Sequence, residues 1–182
     1  RERPESGFGG LTQRFNLEKP VIAAVNGFAM GGGFEIALAC DLIVASDNAV
    51  FALPEPRVGL AALAGGLHRL PRMIPQKQAL GMILTGRRVT AKEGQDLGFV
   101  NEVTSQTDLI TAAKRWSRMM LECSPMSLRA SKQAVYRGFD KPSLQDAIDS
   151  VYPAVQSLYK SADFVEGPKA FSEKRTPSWI AE

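Results

Sequence analysis

Between Asn26 and Asp41 the chain reads NGFAMGGGFEIALACD, and three consecutive glycines lead into an apolar run whose one charged side chain is Glu35. Gly31, Gly32 and Gly33 stand at the start of what reads as a helix. There the backbone can approach a ligand closely, and the first N–H groups have no intrahelical acceptor. Fixed donors of that kind form an oxyanion hole, which meets a carbonyl oxygen as it gains negative charge. Glycines also permit tight turns and close helix–strand packing, and the triplet alone favours that plainer role.

Glu35 lies among Phe34, Ile36, Ala37 and Leu38, where an ionised carboxylate is poorly solvated. Its pKa is expected to rise, making it a proton carrier near neutrality. A first-turn glutamate can also face water, favoured by the helix dipole, but this helix offers no polar face and the proton-carrier reading is slightly ahead. Glu55 is the second carboxylate. Pro54 and Pro56 bracket it, confine the backbone and remove two N–H donors, which holds it on a stiff loop at a strand end. Alone, it reads more simply as an exposed glutamate paired with Arg57. Taken together, the two glutamates supply the paired acid and base that addition of water across a double bond requires.

Other reactive residue types form no such set. His68 is the only histidine, and no Ser-His-Asp or Cys-His constellation assembles around it. Cys40 and Cys123 belong to no CxxC or Cys/His pattern, so neither a metal site nor a disulfide framework is expected. Asp41 closes the apolar helix, where a carboxylate opposes the dipole, and should bond local backbone or a basic partner. No GK[ST] follows the glycines, which excludes a phosphate-binding P-loop.

The elements that must position these residues follow from periodicity and punctuation. Residues 20–27 read as a short buried strand, 32 or 33 to 40 as a helix, and 41–46 and 49–53 as strands, the last stopped by Pro54-Glu55-Pro56. Helices are expected from Gly65-Gly66 to about Met73 and from Pro75 to Thr85. A short helix follows with Thr90 as N-cap, Glu93 at its third position and Gly98 as its stop. Phe99–Val103 reads as the last strand. Four helical stretches follow, over 107–122, 125–139, 143–159 and near 163–171. The expectation is an α/β core over 1–104 and a helical region over 105–182, the latter packing on a neighbouring subunit.

With 182 residues and 45% hydrophobic content the chain can bury a core. Its formal charge of +3 comes from dispersed basic residues, which argues against nucleic acid and suits a small anionic ligand. No apolar run approaches the roughly 18 residues of a membrane span, and RERPESGFGG lacks a signal-peptide core. A cytoplasmic protein is expected.

Lys19-PVIAAVNGFAMGGGFEIALACDLIVASDNAVFALPEPRVGL-Leu60, followed by GGLHRLPR and LTGRRVTAKEGQDLGFVNEV, resembles the enoyl-CoA hydratase/isomerase (crotonase) family, and most of all its carnitinyl-CoA dehydratase branch. The resemblance implies a spiral of β-β-α units with a helical C-terminal region, built into trimers or dimers of trimers. It also implies an acyl-CoA substrate, with no metal or separate cofactor. Gly32, flanked by Gly31 and Gly33, matches the residue whose N–H forms half of the oxyanion hole. Glu35 and Glu55 match the two hydratase glutamates, Pro54 and Leu63 fall on the pocket wall, and Phe171 and Lys174 match positions that approach CoA. Retention of both glutamates favours hydration of a trans-2-enoyl-CoA, or the reverse dehydration, over isomerisation, with a carnitinyl-CoA dehydratase or an enoyl-CoA isomerase as the alternatives.

Two departures qualify the match. Family members carry, upstream of the strand matching Lys19-PVIAAVNG, an A-G-x-D-like segment that supplies the other oxyanion N–H; it is not among these residues, so a longer gene product or a partner is expected to provide it. A non-catalytic acyl-CoA-binding or assembly module is the alternative of a different class. Secondly, Ala62 and Leu63 stand where the family usually has proline and then Gly, Ala or Asp, and where the carnitinyl branch has aspartate. Leu63 makes an apolar acyl chain a better substrate than a trimethylammonium one.

Overall fold

The computed structural model describes residues 4–181. Strand β1 (Ile22–Val25) is followed by β2 (Phe28–Met30), helix α1 (Gly32–Ala39), β3 (Leu42–Ser46) and β4 (Val50–Ala52). A 3-10 turn over Glu55–Val58 leads to α2 (Gly66–Met73), α3 (Gln76–Thr85), β5 (Val89–Thr90), α4 (Ala91–Leu97) and β6 (Glu102–Thr104). The remainder is helical: α5 (Leu109–Leu121), α6 (Pro125–Gly138), α7 (Leu144–Asp149), α8 (Pro153–Tyr159) and α9 (Ala162–Ser172).

The strands form two sheets; the first four alternate between them, β5 joins the second beside β4, and β6 returns to the first. One sheet has the order β1-β3-β6, all parallel, with Ile22 opposite Leu42 and Val44 opposite Glu102. The other has the order β2-β4-β5, with Phe28 opposite Val50 in parallel and Phe51 opposite Val89 in antiparallel pairing. The units β1-β2-α1 and β3-β4-α2 each add one strand to each sheet, and β5 and β6, separated by α4, add one more to each, which is the α/β spiral that the resemblance implies. β2 and β5 go beyond the periodicity reading, because segments of three and two residues are too short to display an alternating pattern.

The core gathers where α1 faces the strands. Phe34, Phe51 and Phe99 are buried with ring centroids 5.2 to 5.3 Å apart, in the tilted and edge-on arrangements that aromatic quadrupoles favour. Phe34 comes from the first turn of α1, so this packing fixes the helix start immediately beside Glu35. The Thr90 cap forms as expected, its hydroxyl accepting the Glu93 N–H at 3.2 Å, but the Glu93 carboxylate turns to Arg87 at 2.5 Å. Asp41 accepts the Val21 N–H at 2.7 Å, which ties the end of α1 to the start of β1.

By its internal contacts the chain divides into two compact units, one holding the residues before Leu17 with Val21–Arg115, the other Leu17–Pro20 with the residues from Trp116 onward. In the second unit, Gln133 of α6 donates to Glu18 at 2.9 Å and accepts the Ala154 N–H of α8 at 2.9 Å. The single helical stretch expected over 143–159 is two helices. Pro153 opens the second, and Tyr152 before it is extended at φ −110°, ψ 119°, as steric clash with the proline ring demands. No helix among the described residues is long and apolar enough to cross a membrane.

Candidate active site

Gly31 follows β2, and its N–H donates to the Ala52 carbonyl of β4 at 3.0 Å. Its backbone, at φ 54° and ψ −124°, lies in a region that side-chain-bearing residues avoid. A second constraint acts on the same atom. A β-carbon built on Gly31 would stand 3.0 Å from Oε1 of Glu55, so the carboxylate occupies the space that any side chain there would need. The Gly31 carbonyl accepts the Glu35 N–H at 3.0 Å. One glycine therefore touches both glutamates.

Glu35 is 4% exposed. It faces the interior, not water, because α1 is enclosed on the side that also buries Phe34 and Leu38. Its Oε1 accepts the Gly66 N–H at 2.9 Å, the first amide of α2, which helix geometry leaves without an intrahelical acceptor. Burial raises the Glu35 pKa above the ordinary carboxylate value; the Gly66 amide pulls it down, the charge of Glu55 raises it further, and the Ala64 amide and Arg69 pull it down again, with the net shift upward. Such a group holds its proton at higher pH than a solvated glutamate and can both give and take one.

Glu55 begins the 3-10 turn after β4, with Pro54 half-buried before it and Pro56 behind it. Arg57 donates to the Thr85 carbonyl at 3.0 Å, and no bond joins its side chain to Glu55 among the described residues. The Oε2 atom of Glu55 is buried and has no hydrogen-bond partner among the described residues. A buried acceptor in that condition costs free energy unless a donor meets it.

Gly32 and Gly33 open α1. Gly33 is exposed and nothing lies within 4 Å of a β-carbon built on it. Gly32 is covered by the Phe8 ring, which contacts the position of its absent β-carbon. Sequence reasoning missed Phe8, and equally Gly66, Ala64 and Arg69. Arg69 donates to the Thr12 carbonyl at 2.7 Å and lies over the Phe15 ring at 5.8 Å from its centroid. Ala64, Gly66 and Arg69 shared one signal, the Gly65-Gly66 pair, read only as a helix start; Phe8 had none.

The structure thus gathers Gly31, Gly32, Glu35 and Glu55 in one place. Leu63 stands in the turn before α2, 62% exposed, beside buried Ala62. Phe171, 87% exposed, and Lys174 belong to the second unit, at the end of α9. His68 is exposed, Cys40 buried and Cys123 exposed. Among the described residues no group of three or more His, Cys, Asp and Glu is placed to hold a metal ion.

Comparison with known proteins gives this geometry its context. The family model described as enoyl-CoA hydratase/isomerase matches residues 4–182. Carnitinyl-CoA dehydratase of Escherichia coli K12 is 45% identical over 177 residues, covering 95% of this chain and 67% of that protein. The chain superimposes on an enoyl-CoA hydratase from Mycobacterium tuberculosis H37Rv with a TM-score of 0.91 and 35% identity, covering 98% of this chain and 69% of the other. An enoyl-CoA hydratase subunit from Geobacillus kaustophilus gives a TM-score of 0.88 at 41% identity, with 96% and 68% covered.

Proposed function

The chain belongs to the enoyl-CoA hydratase/isomerase family, and from that membership we propose that it hydrates a trans-2-enoyl-CoA reversibly, by syn addition, to a 3-hydroxyacyl-CoA. The observation that carries this reading is the pairing of Glu35 and Glu55 about Gly31. Hydration needs one group to take a proton from water and another to deliver one to the α-carbon, and two carboxyls at a shared backbone position meet that need. The raised pKa of Glu35 and the unpartnered Oε2 of Glu55 suit a water molecule held between them.

The thioester is activated from the other side. The Gly32 N–H, in the first turn of α1 where no intrahelical acceptor faces it, serves as one donor to the thioester oxygen as the enolate forms, and a second N–H from outside these residues completes the pair. Fixed donors of this kind are worth about a hundredfold or more in rate each. Coenzyme A enters as part of the substrate, and in the proposed assembly Phe171 and Lys174 approach the CoA held by a neighbouring subunit. The working assembly is a homotrimer or a dimer of trimers in the cytoplasm.

A second reading, dehydration of carnitinyl-CoA, draws on the 45% identity to that dehydratase. Leu63 opposes it, since an alkyl side chain gives a trimethylammonium group no counter-charge. A panel of crotonyl-CoA, longer enoyl-CoAs and crotonobetainyl-CoA, read by mass spectrometry, separates the possibilities. Hydration adds one water to the substrate mass, and isomerisation leaves it unchanged.

A further inference from the structure

The turn that leads into α2 holds Glu35 by its backbone alone. The Gly66 N–H donates to Oε1 of Glu35 at 2.9 Å, and the Ala64 amide bears on the same carboxylate. A bond of this kind is only as exact as the turn that carries it. Gly65, between the two donors, stands at φ 117°; glycine reaches that angle freely and for the same reason does not hold it.

Arg69 occupies the space that Gly65 leaves. A β-carbon built on Gly65 would overlap a terminal nitrogen of the Arg69 guanidinium and lie 3.3 Å from its Cζ. The Arg69 N–H donates to the Gly65 carbonyl at 2.8 Å, so backbone and side chain of one residue grip the glycine from two sides. The guanidinium is itself anchored. Its Nη2 donates to the carbonyl of Thr12 at 2.7 Å, Thr12 being 1% exposed, and the Phe15 ring lies 5.8 Å from Cζ. A planar fork can bond a carbonyl with one nitrogen and pack on a backbone with another, which a compact ammonium does not do.

The charge has a second effect. Helix α1 packs chiefly on β2, α2 and the 3-10 turn Phe8–Gly10, and of these only α2 carries cations: Arg69, with His68 and Arg72 exposed to solvent. Glu55 comes from the 3-10 turn after β4. The charges bearing on Glu35 are thus one carboxylate that raises its pKa and one guanidinium that lowers it.

We propose that Arg69 is a positioning residue for Glu35: by filling the space beside Gly65 and fastening to Thr12, it fixes the turn whose amides hold that carboxylate. The inference rests on the hydratase reading for the part Glu35 plays in turnover.

The test places Arg69→Gln and Arg69→Lys in the intact protein, each alone and combined with Glu35→Gln. Two quantities are followed: hydration of crotonyl-CoA, and the pH titration of the Glu35 carboxyl by carbon NMR, its signal being the one that Glu35→Gln removes. Arg69→Gln should lower kcat about tenfold or more with KM within about threefold, as a displaced proton carrier does, and should move the Glu35 titration to higher pH. Arg69→Lys keeps the charge but not the fork; it should lose about fivefold in kcat while its titration stays nearer the wild-type position. In the Glu35→Gln background either substitution should change kcat by no more than about twofold, because Arg69 acts through the group already removed. Equal losses in both backgrounds, or a titration that Arg69→Gln leaves in place, would overturn the inference and make Arg69 a packing residue. If Arg69→Gln does not fold, the lysine variant decides, and wild-type kcat there overturns it. A wild-type protein that leaves crotonyl-CoA unhydrated defeats the hydratase reading, and the titration then decides this inference by itself.

Discussion

The α-carbon of Gly31 lies against the carboxylate of Glu55, with a built β-carbon only 3.0 Å from Oε1. The same residue holds φ 54°, ψ −124° and hands its carbonyl to the Glu35 amide at 3.0 Å. Its lack of a side chain is therefore demanded twice, by the backbone and by the acid it touches.

Gly31→Ala should consequently be costly in both respects. Forcing an alanine into this region costs about 1–3 kcal/mol, and the methyl group displaces Glu55. Urea unfolding should show that loss of stability, and kcat should fall by about tenfold or more. Gly33→Ala is the control, because open space surrounds its β-carbon position; it should change kcat far less.

Glu35→Gln separates stability from activity through pH. The folded protein holds the Glu35 proton more tightly than the unfolded chain, whose carboxyl titrates near 4.5. As pH rises from that value to the raised folded pKa, the unfolded state releases its proton first, so stability contributed by neutral Glu35 is lost. Below the window both states are protonated and the penalty is absent. The glutamine, always neutral and able to accept the same Gly66 N–H, escapes the loss. The stability difference between variant and wild type should therefore shift in favour of the variant across the window and then level off, as followed by denaturant unfolding between pH 4 and about pH 8.

Leu63→Asp tests the acyl preference. The side chain is 62% exposed, so unfolding free energy should change by no more than about 0.5 kcal/mol. Turnover of crotonyl-CoA should fall, and any turnover of crotonobetainyl-CoA should rise. An unchanged ratio of kcat/KM for the two would remove Leu63 from the pocket wall.

The sequence made the local features legible and left the distant ones hidden. Thr90, Glu93 and Gly98 announced α4 because capping is written in adjacent residues, and Glu35 stood out because one carboxylate among apolar neighbours is an anomaly at short range. The bond from Gly66 to Glu35 joins residues 31 apart in the chain, and no periodicity encodes it. The approach of Glu55 to Gly31 is hidden for the same reason: it depends on β2 pairing with β4, and a strand as short as Phe28–Met30 carries too little pattern to be seen. Pro153 was visible, but its power to divide the helix expected over 143–159 was underestimated, since proline also opens α6 at Pro125 without a break.

The central claim is that Glu35 and Glu55 act as one hydrating pair, and the direct measurement is the rate at which crotonyl-CoA gains the mass of one water in wild type, Glu35→Gln, Glu55→Gln and the double variant. The account predicts that each single variant loses about a hundredfold or more in kcat. The double variant should fall little further, because residues acting as a unit are not additive. Wild-type turnover in either single variant would contradict it.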